Sequence, residues 1–304
     1  MDALSRLIRL ARLRGGVDVR CLIAGRYTLD NPAEGTGRSP FHLLLSGECT
    51  LELPDRKLDL RAGDMVLLPR GTAHRMRVRG ARDATDVERR DTGPYELLGN
   101  DPAAGSGTVD LFCGHYTWGP GPGQILMGML PEVVHVPLGT VPDGPLGPLS
   151  AFMRGEAAAA GQGTEAILDA LCDVLLTMAL RGTPGLGAAV WLASAQDVVR
   201  SVTEAVLGDP AGDWGIERLA ALNAMSRATF IRHFARETGM NAGEFVTRLR
   251  MLLAADLLTG TDRPVGAVAE AVGYASESAF GRAFRTSTGI TPAKLRRSAR
   301  EREP

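Results

Sequence analysis

The chain has 304 residues, 44% of them hydrophobic and 23% charged, with a net charge of -1; at about 100–200 residues per domain this composition predicts two globular domains. No run approaches the ~20 apolar residues of a membrane span, and the opening MDALSRLIRLARLRGG lacks a secretory leader, so a cytoplasmic protein without a membrane partner is expected. Four cysteines without a CxxC exclude a disulfide scaffold and a zinc ribbon, and the near-zero charge gives no sign of a nucleic-acid partner.

In chain order, the basic amphipathic start predicts a first helix. The segments VDVRCLI, FHLLL, CTLEL, KLDL, DMVLLP, HRMRV and TVDLFCG, between 17 and 116, are short, apolar or alternating, and broken by Gly, Pro or Asp. They predict a small all-β barrel or sandwich. Asn31–Ser39 and Ala81–Ser106 are too polar or Gly-rich for regular structure and are expected to be loops. From about Pro145 the period becomes helical, with Thr164 as N-cap and Ile167, Leu168, Leu171, Leu175 and Met178 on one side. The expected organisation is a β domain with a helical segment at 145–181 (together 1–181), a Gly/Pro linker at 182–192 opening with GTPGLG, and an all-α domain at 193–304.

Within that last domain lies a repeat. IERLAALNAMSRATFIRHFARETG (216–239) aligns without gaps on GAVAEAVGYASESAFGRAFRTSTG (266–289). Each copy has a short helix, a tight connection, an N-capping Ser and a second helix ending at Gly, the parts of a helix-turn-helix. At about 100° per residue, Phe230, His233 and Phe234 face the partner helix, as do Phe280, Ala283 and Phe284. The opposite faces carry Ala228, Ile231, Arg232 and Ala235, then Ser278, Gly281, Arg282 and Arg285. A second helix lying in the major groove would use Arg232 and Arg282 on guanine or phosphate and Ile231 on a thymine methyl, flanked by Arg227, Arg236 and Arg285. Two copies joined by the helix-compatible Glu244–Thr259 predict binding to double-stranded DNA in two successive grooves.

The tandem copies, Trp214 before them, the connecting FVTRLRMLLAADLLTG and the closing GYASESAFGRAFRTSTGITPAKLR resemble the AraC/XylS family of bacterial transcription regulators over about 195–298. The resemblance implies base contacts from Ala228, Ile231, Arg232, Ser278, Gly281 and Arg282, a homodimer formed through the helical segment, and RNA polymerase as a partner if the protein activates. The N-terminal half resembles a cupin: Gly63-DMVLL-Pro69-Arg-Gly71-Thr-Ala-His74 fits the cupin G-x5-P-x-G-x2-H pattern. The expected fold is therefore α+β multidomain: a cupin-like barrel with a helical dimerisation segment, then an all-α double helix-turn-helix.

Metal-dependent cupins present H-x-H-x3,4-E ahead of a later His. Here FHLLLSGE retains His42 alone, so the candidate ligands are His42, His74 and His115, with Cys113 as a further donor, for zinc or another divalent metal. Histidines with a purely structural role are the competing reading. Cys49 and Cys172 sit in apolar patterns and are expected to be buried. Cys21 shares a strand face with Val19 and Ile23, which also favours burial. Yet Cys21 in DVRC and Cys113 in LFCG match the cysteine pair of the reactive-chlorine-sensing branch, which also shares MDALSRL. That resemblance implies a redox pair, with a low-pKa thiolate near Arg20 or Arg26 as its reactive member. The function expected is a DNA-binding regulator, not an enzyme, that senses an oxidant or a small-molecule inducer. The alternative is a metal-dependent cupin enzyme fused to a DNA-binding module.

Overall fold

The computed structural model describes residues 2–100, 108–139, 146–159, 161–181 and 197–301. The linker expected at 182–192 lies outside them. The chain opens with α1 (Ala3–Ala11), then β1 (Arg14–Ile23), β2 (Tyr27–Asn31), β3 (Arg38–Ser46), β4 (Glu48–Glu52), β5 (Lys57–Arg61), β6 (Asp64–Leu67) and β7 (His74–Val78). Next come β8 (Glu88–Asp91), β9 (Glu96–Gly99), β10 (Val109–Thr117), α2 (Pro122–Met129), β11 (Val134–Pro137), α3 (Leu146–Ala159) and α4 (Thr164–Arg181). The described elements that follow are all helices: α5 (Asp197–Gly208), α6 (Ile216–Leu222), α7 (Arg227–Thr238), α8 (Ala242–Gly260), α9 (Val265–Ala271), α10 (Glu277–Thr288) and α11 (Pro292–Arg300).

The strands form a seven-stranded sheet in the order β11-β6-β3-β10-β1-β9-β8 and a four-stranded sheet in the order β2-β7-β4-β5. One apolar core lies between them. The first sheet contributes Cys21, Ile23, Leu44, Val66, Leu98 and Leu111, and the second contributes Cys49, Leu51, Leu60, Met76 and Val78. Alternation along each strand sends these side chains inward and the arginines of HRMRV outward, as a half-buried strand requires. The expected loop at 81–106 is partly wrong: it contains β8 and β9, and β9 pairs parallel with β1, Cys21 opposite Leu98. Parallel pairing to a distant strand leaves no hairpin signature in so polar a segment.

Contacts divide the chain into two compact units, and the division does not follow chain order. One is Arg14–Thr117 with Glu132–Ala179; the other comprises the described parts of Met1–Leu13, Trp118–Pro131 and Leu180–Pro304. The first helix is present as expected. Asp2 caps it by accepting from the Ser5 amide at 2.8 Å, Leu7, Leu10 and Ala11 are buried, and a left-handed Arg12 (φ 50) ends it. Together with α2 it packs in the helical unit, whereas α3 and α4 belong to the unit that contains both sheets.

Candidate functional site

Two regions carry chemistry. In the helical unit the two repeat copies are built alike. Ser226 caps α7 by accepting from the Thr229 amide and Ser276 caps α10 by accepting from the Ala279 amide, both at 3.2 Å. Each helix stops at a left-handed glycine, Gly239 (φ 70) and Gly289 (φ 73). Phe230, Phe234, Phe280 and Phe284 are fully buried, so their burial fixes which side of each helix faces solvent. On that side Arg227, Ala228, Ile231, Arg232 and Arg236 are exposed in α7, and Ser278, Arg282 and Arg285 in α10. Gly281 is half-buried, and a Cβ built on it would meet open space. His233 faces inward and is half-buried, its Nδ1 buried without a hydrogen-bond partner.

The arginines are not equivalent. Arg227 lies 3.2 Å from Glu217 and Arg236 lies 2.9 Å from Glu237. Arg232, Arg282 and Arg285 make no ion pair among the described residues. An exposed Ile at 45% accessibility between such arginines leaves an apolar spot on a cationic face.

The second region is the seam between β1 and β10 in the sheet unit. These strands are antiparallel, with Val19 opposite Cys113 and Cys21 opposite Leu111. Cys21 and Cys113 are therefore diagonal neighbours on one face of the sheet, and their side chains hydrogen-bond. Cys21 is fully buried; Cys113 is half-buried. Both are free thiols, as are the buried Cys49 and Cys172. Burial pushes Cys49 up to about 12 and Cys172 well up as well.

Across the next pair, Cys113 lies opposite His42. His42 Nδ1 is 3.1 Å from the Cys113 Sγ, its Nε2 is 2.6 Å from His74 Nε2, and His74 Nδ1 is 2.8 Å from the Thr72 carbonyl. A carbonyl only accepts, so His74 Nδ1 carries hydrogen. With both rings neutral, His42 Nε2 then donates to His74, which leaves the His42 Nδ1 lone pair facing the Cys113 sulfur. Burial, and then His74, push His42 down to about 3, which keeps it neutral. Cys113 is held well above the usual thiol range, first by its hydrogen bond with Cys21 and then by burial.

The expected low-pKa thiolate beside Arg20 or Arg26 is accordingly corrected at Cys113. Arg20 alternates away from Cys21 and makes a buried two-pronged contact with Asp110 at 3.0 Å, where Arg154 of α3 joins at 2.8 Å. Arg26 pairs with Asp83. Neither guanidinium faces the thiols.

The three candidate metal ligands do not converge. His115 turns instead to Asp18 at 2.5 Å and Arg38 at 2.9 Å, beside a cavity of about 700 Å³ lined also by Arg14, Glu165 and Asp169. His42 offers its two ring nitrogens to two different partners, so His74 and Cys113 cannot share one ion with it. Among the described residues, no group of three or more His, Cys, Asp or Glu side chains is placed to hold a metal. The donors present do not fit the three-ligand metal centre expected for zinc.

The structure brings together His42, His74 and Cys113 of the expected donors and leaves His115 apart. Sequence reasoning missed the Arg20–Asp110–Arg154 network, which depends on strand order.

Residues 2–183 match the Cupin family and residues 219–298 match a Helix-turn-helix domain. An HTH-type transcriptional regulator of Haemophilus influenzae, itself uncharacterised, is 34% identical over 98% of this chain and 99% of its own length. This chain belongs to the AraC-type transcription regulators with an N-terminal cupin domain. Among other members, the RCS-specific HTH-type transcriptional activator RclR of Escherichia coli is 28% identical over the full length of both chains. A putative AraC-like transcription regulator of Streptomyces antibioticus is 28% identical over 98% of this chain and 99% of its own. The function is thus transcription regulation, with a cupin unit joined to a DNA-binding helix-turn-helix unit. Among the described residues no helix is long and apolar enough to cross a membrane.

Proposed function

We propose that this regulator senses a strong electrophilic oxidant through Cys21 and Cys113 and answers by changing how α7 and α10 hold operator DNA. The observation that supports it is the seam itself: two thiols in hydrogen-bonding contact across neighbouring strands, one half-buried and one sealed. A thiol kept protonated reacts slowly with mild oxidants, whose rate follows the thiolate fraction. Hypochlorous acid, the class suggested by the RCS-specific relative, is strong enough to attack it. The half-buried Cys113 sulfur takes the chlorine, hydroxide leaves with the Cys113 proton as water, and Cys21 displaces chloride and releases its own proton to solvent as the S–S bond forms. Two thiols lose two electrons and two protons; the oxidant becomes chloride and water.

On DNA, Arg232 and Arg282 donate to guanine or phosphate and Ile231 covers a thymine methyl, with Ala228, Ser278 and Gly281 allowing close approach. Arg227, Arg236 and Arg285 serve the phosphates. Phe152 of α3 and Val174 of α4, 53% and 46% accessible, mark the face a second copy covers in a homodimer; if the protein activates, RNA polymerase is its partner. The regulator reading is preferred to an enzyme because the second histidine position of the cupin ligand pattern is the buried Leu44, and Glu48, which stands at its glutamate position, is exposed and 3.9 Å from Arg79. The cavity beside His115 supports a second reading, a small-molecule inducer. Oxidant-dependent transcription in Cys21→Ser and Cys113→Ser strains tests the proposal: both should lose the response, and a full response in either would sink it.

A further inference from the structure

The two strands that carry the thiols run directly into helices that grip the DNA-binding unit. Only Arg12 and Leu13 separate α1 from β1, and only 118–121 separate β10 from α2; at that end Arg14 pairs with Thr117. Both helices nevertheless pack in the helical unit. There α1 touches α2, α5 and α8, and α2 touches α8 and α10. α1 buries Leu7, Leu10 and Ala11, and α2 buries Ile125, Leu126, Met127 and Met129. Arginines tie both down. Arg6 donates to the Leu207 carbonyl at 2.7 Å, Arg12 pairs with Asp256 at 3.2 Å, and Arg248 of α8 donates to the Gly128 carbonyl. α8 joins the two helix-turn-helix copies and touches α7, α9, α10 and α11, so its position sets the spacing of the two recognition helices.

We propose that α1 and α2 form a two-armed clamp on α8, through which the β1–β10 seam and the recognition helices control one another. This rests on reading Cys21 and Cys113 as the sensor. Diagonal strand neighbours have Cα atoms about 7–8 Å apart, at or beyond the ~7 Å that a disulfide spans without backbone movement. Closing the bond therefore displaces β1 against β10, and each displaced strand continues into one arm. Close-packed interiors pass on such shifts instead of absorbing them. By linkage, DNA that favours one clamp position must shift the seam's oxidation equilibrium by the same factor that oxidation shifts DNA affinity.

The test uses the full chain and a DNA duplex that it selects from a random-sequence library. Wild type and the triple variant Arg6→Ala, Arg12→Ala, Arg248→Ala are compared before and after hypochlorous acid, with free thiols counted on the same samples. Wild type should change affinity by about five-fold or more. The variant should lose the same thiols yet change by less than about two-fold, because its seam has come loose from its readers. A variant that keeps the wild-type change overturns the clamp. If wild-type thiols stay free, or its affinity does not move, the sensor reading fails instead, and hydrogen exchange decides the clamp. Duplex binding should alter exchange of the β1 and β10 amides in wild type and not in the variant; no alteration in wild type overturns it. The same exchange comparison applies should the variant prove unstable.

Discussion

The two chemically active regions of this protein treat water in opposite ways. α7 and α10 hold Arg232, Arg282 and Arg285, unpaired among the described residues, in solvent on capped helices, while the β1–β10 seam keeps the Cys113 thiol protonated and the His42 imidazole neutral in a largely buried network. The difference teaches what each can recognise. An exposed cationic face meets a polyanion at long range and reads it by direct hydrogen bonds. A buried neutral network recognises nothing at a distance and changes only when a reactive species reaches it. Charge sits where recognition is continuous, and reactivity is hidden where it must be conditional.

The sharpest way to break this contrast is at the seam. Cys113→Ser should abolish the oxidant response outright, measured as oxidant-dependent operator binding by the purified chain. On the exposed side, Arg232→Ala or Arg282→Ala should each cost ~1–3 kcal/mol of operator binding if they hold guanine through two hydrogen bonds, measured by titration at fixed salt. No loss in either would mean the readers do not lie in the groove as proposed. Arg227→Ala should cost less, under about 1 kcal/mol, since Arg227 already has Glu217 as a surface partner at 3.2 Å.

Acid probes the buried side. His42 is held near 3 in the folded chain against 6.5 for a free imidazole. Between those values the unfolded chain binds a proton that the folded chain refuses. Stability is therefore full above about pH 6.5 and falls as the pH drops, by roughly 1.4 kcal/mol per unit from this group. Denaturant midpoints at pH 7 and pH 5 measure the slope, which should flatten in His42→Asn. The smallest expected effect concerns metal. With His115 committed to Asp18 and Arg38, purified chain should carry less than one zinc, and His115→Ala should leave its metal content unchanged; elemental analysis decides.

How much of this was legible beforehand follows the range of the interactions. The readers were legible in detail, because Ser226 and Ser276 cap locally, Gly239 and Gly289 terminate locally, and helix geometry alone sorts Phe230 from Arg232. Most strands could also be read, from alternation in segments such as HRMRV. The seam was legible only in part: resemblance paired Cys21 with Cys113 and the cupin pattern grouped His42, His74 and Cys113. How they are arranged depends on β3, β10 and β1 lying side by side, and nothing in FHLLL or LFCG specifies that order. β9 was missed for the same reason, since each of its residues pairs with a β1 residue 77 positions earlier in sequence. The packing of α1 and α2 in the helical unit escaped as well: an amphipathic stripe such as Leu7, Leu10 and Ala11 says that a face is buried, not against what.

One measurement bears most directly on the central claim. Full-length protein is treated with one equivalent of hypochlorous acid, its disulfides are mapped by peptide mass, and operator affinity is measured on the same sample. The account predicts a Cys21–Cys113 link together with a changed affinity, both reversed by a thiol reductant. A changed affinity with Cys21 and Cys113 still free, or the link formed with affinity unmoved, would contradict it.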